Sequence, residues 1–141
     1  MNITSATATQ AQILAMLDNS VAFSAHWNTQ DWQNELAQPS AHIWCAQQDG
    51  QIAGFIALRG AAGQWEILNI AVAPAQQRQG IATALLYHAL AILGTQQITL
   101  EVSTANQAAQ ALYRKVGFVA LGVRPKFYSD GSDALIMGNV L

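Results

Sequence analysis

The segment Ile70-Ala71-Val72-Ala73-Pro74-Ala75-Gln76-Gln77-Arg78-Gln79-Gly80-Ile81-Ala82 carries the residues best placed to do chemistry. An apolar run stops at a proline, a polar loop follows, and Gly80 opens a helix whose first turn is Ile81-Ala82-Thr83-Ala84. Strand, loop and helix start together bind anions, because the first helical N–H groups lack partners inside the helix. A glycine lets a phosphate approach the backbone closely, and Arg78 adds a fixed positive charge beside it. The segment is no Walker A loop, since no Gly-Lys-Ser/Thr follows. It is no dinucleotide fingerprint either, since the three spaced glycines are missing. What remains is Gln77-x-x-Gly80-x-Ala82 after a strand, read as a diphosphate cradle over Gln77, Arg78, Gln79, Gly80, Ile81, Ala82 and Thr83. The competing reading is an ordinary loop with a helix-start glycine.

Glu101 is the second candidate. In Ile98-Thr99-Leu100-Glu101-Val102, alternation puts the three apolar side chains on one face and Glu101 on the other. A carboxylate inside so apolar a strand is costly unless paired or functional. Two roles stay open for it: a strand-end salt bridge or scaffold, and a general base. Other reactive types offer less. His26, His42 and His88 share no metal-ligand spacing, so no metal is expected. Cys45, between Trp44 and Ala46, reads as a small buried hydrophobe; no base stands beside it to support an acyl-cysteine intermediate. No Gly-x-Ser-x-Gly elbow occurs.

The elements that must position these residues follow from periodicity. Residues 8–19 and 29–36 read as helices, the second capped by Thr29 and ended by Pro39. Residues 42–47 and 51–58 flank Gln48-Asp49-Gly50, a hairpin signal. Gly60-Ala61-Ala62-Gly63 is the next turn, and 65–72 a third strand. Ile81–Leu93 is the clearest helix and Gly94 ends it. Strand Gln97–Val102, helix Asn106–Val116 with Asn106 as cap, and strands Phe118–Val123 and Ala134–Val140 complete the chain. Antiparallel strands come first, then strand–helix–strand–helix–strand. Helical crossovers make their strands parallel, so an α/β sandwich with a mixed sheet is expected.

Composition narrows the function. At 141 residues the chain fits one domain, 1–141, with one core. Net charge is −2 with no Lys/Arg run, which argues against nucleic acid or an acidic membrane as partner. No apolar run reaches membrane-span length. A single cysteine and an N-terminus unlike a signal peptide make a cytoplasmic location the expectation.

Gln77-x-x-Gly80-x-Ala82, preceded by Leu68-Asn69-Ile70-Ala71-Val72-x-Pro74, resembles the acyl-coenzyme-A signature of the GNAT superfamily of N-acetyltransferases. Downstream, Leu100-Glu101-Val102, Asn106, Ala111-Leu112-Tyr113 and Gly117-Phe118 resemble its RimI-type branch, which acetylates the N-terminal alanine of a small-subunit ribosomal protein. His26-Trp27-Asn28 is a weaker echo of a family Pro-Trp-Ser. The match runs from about Trp65 to Met137.

The resemblance implies a GNAT-type mixed sheet of about six to seven strands flanked by about four helices, and acetyl-CoA as co-substrate. It implies that the backbone of Ile70, Ala71 and Val72 meets the pantetheine amides, that the loop before Thr83 holds the pyrophosphate, and that Asn106 touches the coenzyme arm. It implies Glu101 as general base and Tyr113 as proton donor to the CoA thiolate; a core aromatic is the plainer role for Tyr113. It places Trp27, Glu66 and Tyr128 on the acceptor side. The expected partners are acetyl-CoA and a peptide or protein N-terminus, from a ribosomal protein on this resemblance, in a monomer or weak dimer. Ser103 stands where the branch usually has arginine, Phe127-Tyr128 replaces a Tyr-Tyr pair, and the 128–133 loop is short. All three lie toward the acceptor. A small-amine acetyltransferase and a non-catalytic acyl-CoA-binding module are the alternatives.

The base's task can be sized. An α-ammonium with pKa about 8 is roughly one-tenth neutral at pH 7, whereas a lysine near 10.4 is neutral only about four parts in ten thousand. A base near 4.3 is weak for either, burial would strengthen it, and such help is worth about 10²–10⁴-fold. For Tyr113, a phenol near 10 is a weaker acid than a thiol near 8.5. Full proton transfer is therefore uphill by about 2 kcal/mol in water. A hydrogen bond to the developing thiolate comes first.

Overall fold

Turn chemistry and apolar spacing set most elements, and the computed structural model, which describes residues 1–139, shows how they assemble. Strand β1 (Asn2–Ser5) leads through a 3₁₀ turn (Ala8–Gln10) into helices α1 (Ala11–Asp18) and α2 (Thr29–Leu36). Strands β2 (Ala41–Gln48), β3 (Gln51–Ala61) and β4 (Gln64–Val72) follow, then a 3₁₀ turn (Pro74–Gln76) and α3 (Ile81–Leu93). Strand β5 (Gln97–Ser103), helix α4 (Gln107–Lys115) and strands β6 (Val119–Arg124) and β7 (Ala134–Gly138) close the chain. The seven strands form one sheet in the order β1-β2-β3-β4-β5-β7-β6. Only β4–β5 is parallel among the paired strands. The mixed α/β sheet with four α-helices matches the expectation.

Asp49 and Gly50 turn the β2–β3 hairpin with φ of 53° and 77°, the doubly left-handed geometry that an Asp-Gly pair favours. The sheet is covered on both faces. Ile81, Leu85, Leu86, Ala89 and Leu93 of α3, with Tyr113 and Phe118, pack on Trp44, Ile56, Leu58, Ile67, Ile98 and Leu100. On the other face Leu14, Leu17 and Trp32 pack on Ile43, Cys45, Phe55, Ala57 and Ala71. Alternate residues of β2 and β3 thus serve opposite cores.

Several boundaries differ from the expectation. β1 went unseen: it is a short edge strand that pairs only with β2 and has one half-buried apolar residue, Ile3. The predicted turn at Gly60–Gly63 is tighter, because β3 runs to Ala61 and β4 begins at Gln64. Gly60 lies inside the strand, where a Cβ would collide with Trp65. The first helix begins as a 3₁₀ turn, and Asn28, not Thr29, caps α2. Strand β7 ends at Gly138; the predicted extension to Val140 lies outside the described residues. No helix among the described residues is long and apolar enough to cross a membrane.

Candidate active site

Strands β4 and β5 pair only from Gln64–Gln97 to Ile67–Leu100. β4 continues to Val72 and β5 to Ser103, so beyond Ile67 they part. The cause lies in β4. Asn69 faces Ala57 and Ile67 faces Leu58 across β3, leaving Leu68 as an extra residue. A bulge of this kind bends its strand and increases the local twist. It sits where pairing with β5 stops. Asn69–Val72 keep their β3 partners on one side and have no strand partner on the other among the described residues. Peptide groups seek partners, so this open edge suits an extended chain bearing amides.

The edge leads into the loop before α3. Gln77 donates from Nε2 to the Val72 carbonyl at 3.2 Å, so its side chain staples the loop to the strand end. Gly80 takes φ of 80° as the residue preceding α3. The glycine is therefore required by backbone conformation, and the space where a Cβ would stand is open. Ala84 N–H donates to the Gly80 carbonyl, which leaves the amides of Ile81, Ala82 and Thr83 without helix partners. Arg78 is exposed and outside both ion pairs found among the described residues. Together these groups fit a diphosphate at the end of the open edge.

Across the gap, Glu101 reaches out from β5 with its side chain about one-fifth exposed. Its Oε1 accepts from Arg124 Nη2 at 2.7 Å. The salt bridge that the sequence left open is therefore present, and Glu101 is partly solvated. It lies near Tyr128, whose hydroxyl is pushed up from its usual range by burial first, and then by the charges of Glu101 and Asp130. Tyr128 in turn neighbours Tyr113, whose hydroxyl is held well above its ordinary value, mainly by burial. Tyr113 is a core aromatic, tilted against Phe118 at 5.9 Å, on the face of β5 that carries Ile98, Leu100 and Val102.

Asn106 caps α4, accepting from the Ala109 amide at 3.2 Å. Its capping role is occupied by the side-chain oxygen, which leaves the amide nitrogen for other use. The residue where arginine was expected, Ser103, is buried. Its hydroxyl lies 2.7 Å from that of Ser132 and accepts from Ala105 N–H at 3.1 Å. Ser132 donates to Asp130 from both hydroxyl and amide, which holds the Asp130 carboxyl below its usual range. Two of the three departures noted in the sequence, Ser103 and the short loop, therefore meet in one contact.

On the face covered by α1 and α2, the loop after α1 is pinned to the sheet. Asp18 is fully buried and accepts from the His26 and Trp27 amides, at 3.0 and 2.8 Å, and from Asn69 Nδ2 at 2.8 Å. Asn69 also accepts from Ala25 N–H. Trp27, so positioned, packs edge-on against Trp32 and lines a cleft of about 390 Å³ with Asp31, Asn34, Glu35, Arg59 and Leu68. Glu35 and Arg59 form a two-point ion pair at its floor. Glu66 is exposed on β4 and outside that lining. Neither Asp18 nor Asn69 was singled out from sequence. One signal was available: Asp18 ends α1, where the helix dipole disfavours negative charge, so a local role was improbable.

Cys45 is buried, and burial pushes its thiol up to about 12, which suits a core residue rather than a nucleophile. His26 bonds the Val21 carbonyl, and His42 and His88 pack on Trp44.

The profile of the Acetyltransferase (GNAT) family matches residues 11–118. The chain belongs to this family. It is 36% identical over 116 residues to the N-alpha-acetyltransferase RimI of Mycobacterium tuberculosis, covering 79% of this chain and 73% of that one. It is 40% identical over 96 residues to the [ribosomal protein bS18]-alanine N-acetyltransferase of Escherichia coli, covering 64% and 65%. The crystal structure of the ribosomal-protein-S18-alanine N-acetyltransferase from Escherichia coli superposes with a TM-score of 0.88 at 29% identity, over 97% of this chain and 91% of that one. As a GNAT enzyme the chain is an acyltransferase that uses acetyl-CoA.

Proposed function

We propose that this enzyme transfers the acetyl group of acetyl-CoA to the N-terminal α-amine of a protein, the N-terminal alanine of a small-subunit ribosomal protein, by direct attack in a ternary complex. The names of its relatives support the acceptor. The observation that carries the mechanism is the open β4 edge beyond Ile67, which leads to the start of α3, with Glu101 on β5 just past the last β4–β5 pair.

In this reading the thioester supplies an activated acetyl group and a good leaving group. The free backbone of Ile70, Ala71 and Val72 aligns the pantetheine arm, with Asn106 beside it. Arg78 and the amides of Ile81, Ala82 and Thr83 hold the diphosphate, with Gly80 and Gln79 shaping the loop and Gln77 pinning it. Glu101 receives the acceptor's proton at Oε2, directly or through one water, because Oε1 is committed to Arg124. Tyr113 stays protonated throughout, since burial disfavours its phenolate. It donates a hydrogen bond to the leaving sulfur, and transfer of its proton is even more uphill than in water. Most of the rate gain comes from fixing two bound substrates in line. The cleft beside Trp27 takes the rest of the acceptor chain.

A CoA-release assay tests this with three acceptors: a peptide with free N-terminal alanine, the same peptide blocked and carrying a lysine, and spermidine. Turnover is expected with the first. Glu101→Gln should lose about 10²-fold in kcat, with acetyl-CoA affinity by calorimetry intact. Turnover confined to spermidine would favour a small-amine enzyme instead. Coenzyme binding without CoA release would favour a binding module.

A further inference from the structure

Gly54 lies inside β3, between Ala46 of β2 and Val72 of β4. A glycine weakens a strand, and Gly54 does not take a positive φ, so backbone conformation does not call for it. Space does. A Cβ at this position would stand 3.0 Å from the Ala71 carbonyl oxygen, 3.1 Å from Ile81 Cγ2 and 3.3 Å from Val72 Cγ2. Those residues are the open end of β4 and the first residue of α3. The other glycines without positive φ are Gly60, Gly122 and Gly138. A Cβ on them would meet Gln64 and Trp65, Ile136, or Leu121 and Ile98, none of which belongs to this region. The side chains beneath α3 also shrink toward its start, from Leu58 and Ile56 to Gly54 along β3 and from Trp44 to Ala46 along β2. Ile81, which is buried, therefore settles closest to the strand beside the open edge.

We infer that Gly54 is a positioning residue for the coenzyme: it sets the distance between the β4 edge that takes the pantetheine arm and the α3 amides that take the diphosphate. The inference rests on those two elements being the two halves of the coenzyme site. A ligand that joins two recognised parts through one linker gains from both only where the spacing of the subsites matches the linker. Protein interiors leave no slack for an added methyl, so a Cβ at position 54 must displace a neighbour. Strand β4 is held to β3 by its ladder as far as Val72, and just beyond it the Ala73 N–H donates to the Ala53 carbonyl at 2.8 Å. Helix α3 rests on the sheet through side chains, so the helix yields first. A helix lifted in this way keeps its free amides but no longer presents them where the arm delivers the phosphates. Each half of the site survives, and their register is lost.

The test measures acetyl-CoA by calorimetry and its two halves, S-acetyl-pantetheine and 3′-phospho-ADP, by their inhibition of acetyl-CoA use. Gly54→Ala is expected to weaken acetyl-CoA about ten-fold while the inhibition constants of both halves stay within about two-fold. A merely structural glycine would weaken the halves and the whole together. A folded Gly54→Ala enzyme with unchanged acetyl-CoA affinity, or with its halves weakened as much as the whole, overturns the inference. Ile81→Leu withdraws the branch methyl that the new Cβ would strike. Added to Gly54→Ala, it is expected to restore acetyl-CoA affinity about three-fold; no recovery overturns the seating of α3 through this contact. Alone, Ile81→Leu unseats the helix without crowding it, and a loss of about three-fold in acetyl-CoA with both halves unchanged is expected. That variant carries the test if thermal melting shows Gly54→Ala unfolded, and unchanged acetyl-CoA affinity in it then overturns the inference. Gly80→Ala separates the two readings. Unchanged inhibition by 3′-phospho-ADP in Gly80→Ala removes the diphosphate from the start of α3, and both readings fall. Weakened inhibition there, beside unchanged acetyl-CoA affinity in Gly54→Ala, removes the role of Gly54 alone.

Discussion

The two banks of the β4–β5 gap are built from different materials. The coenzyme bank, from Asn69 to Thr83, presents main-chain groups: an open strand edge and the first amides of α3. The acceptor bank is held by side chains: Asp18 with Asn69, Ser103 with Ser132, and Glu101 with Arg124. A main-chain receptor needs only the right backbone path, so few side chains are constrained and most of those lie within one short segment. A side-chain receptor needs particular groups from distant segments, and each pairing can be exchanged independently. The difference teaches that such an enzyme can keep its donor while its acceptor drifts.

The strongest way to break that contrast is to remove Asp18. Asp18→Ala leaves two amides and the Asn69 side chain without their acceptor inside the protein, at about 1–3 kcal/mol for each unsatisfied group. Partial rearrangement should leave a net loss of about 3 kcal/mol, read by urea unfolding. The acceptor KM should rise more than ten-fold, because Trp27 loses its anchor, while the coenzyme affinity holds. A matching fall in coenzyme affinity would show that the banks are mechanically one. Gly80→Ala attacks the opposite bank. A left-handed residue with a Cβ is strained by about 1–2 kcal/mol, so acetyl-CoA should bind about ten-fold more weakly in calorimetry, with the acceptor KM nearly unchanged. The smallest effect is expected from Ser103→Ala, which removes two neutral hydrogen bonds, with Ser132 and with the Ala105 amide, worth about 1 kcal/mol each. It should raise the acceptor KM a few-fold by loosening the loop that carries Tyr128. Ser132→Ala also breaks the shared hydroxyl contact, so the double variant should cost less than the sum of the two single variants.

The same contrast explains what could be read in advance. Gly80 and α3 were legible because a loop glycine followed by an apolar stripe is a local pattern, and their bounds agree with the structure. Glu101 was legible as an anomaly, but its partner was not: Arg124 lies 23 positions on and meets it only after the chain has doubled back. The parallel β4–β5 pair followed from its helical crossover. The insertion of β7 between β5 and β6 had no local signature, since a closing hairpin can add its second strand on either side. Trp27 was placed near the acceptor by likeness alone. The structure lines a cleft with it, through a buried aspartate that no periodicity reveals. Glu66 was expected on the acceptor side; it is exposed on β4 opposite Arg59, on the same face as the cleft but outside its lining.

The supernumerary Leu68 has a consequence for how this chain can change. Excising that one position would restore an even count opposite β3 and allow the two diverging strands to zip together along their full length. Such a deletion would keep nearly every core side chain, and a stably folded protein could result with nowhere to lay a thioester. Substitutions here are tolerable in many forms; losing a codon is not.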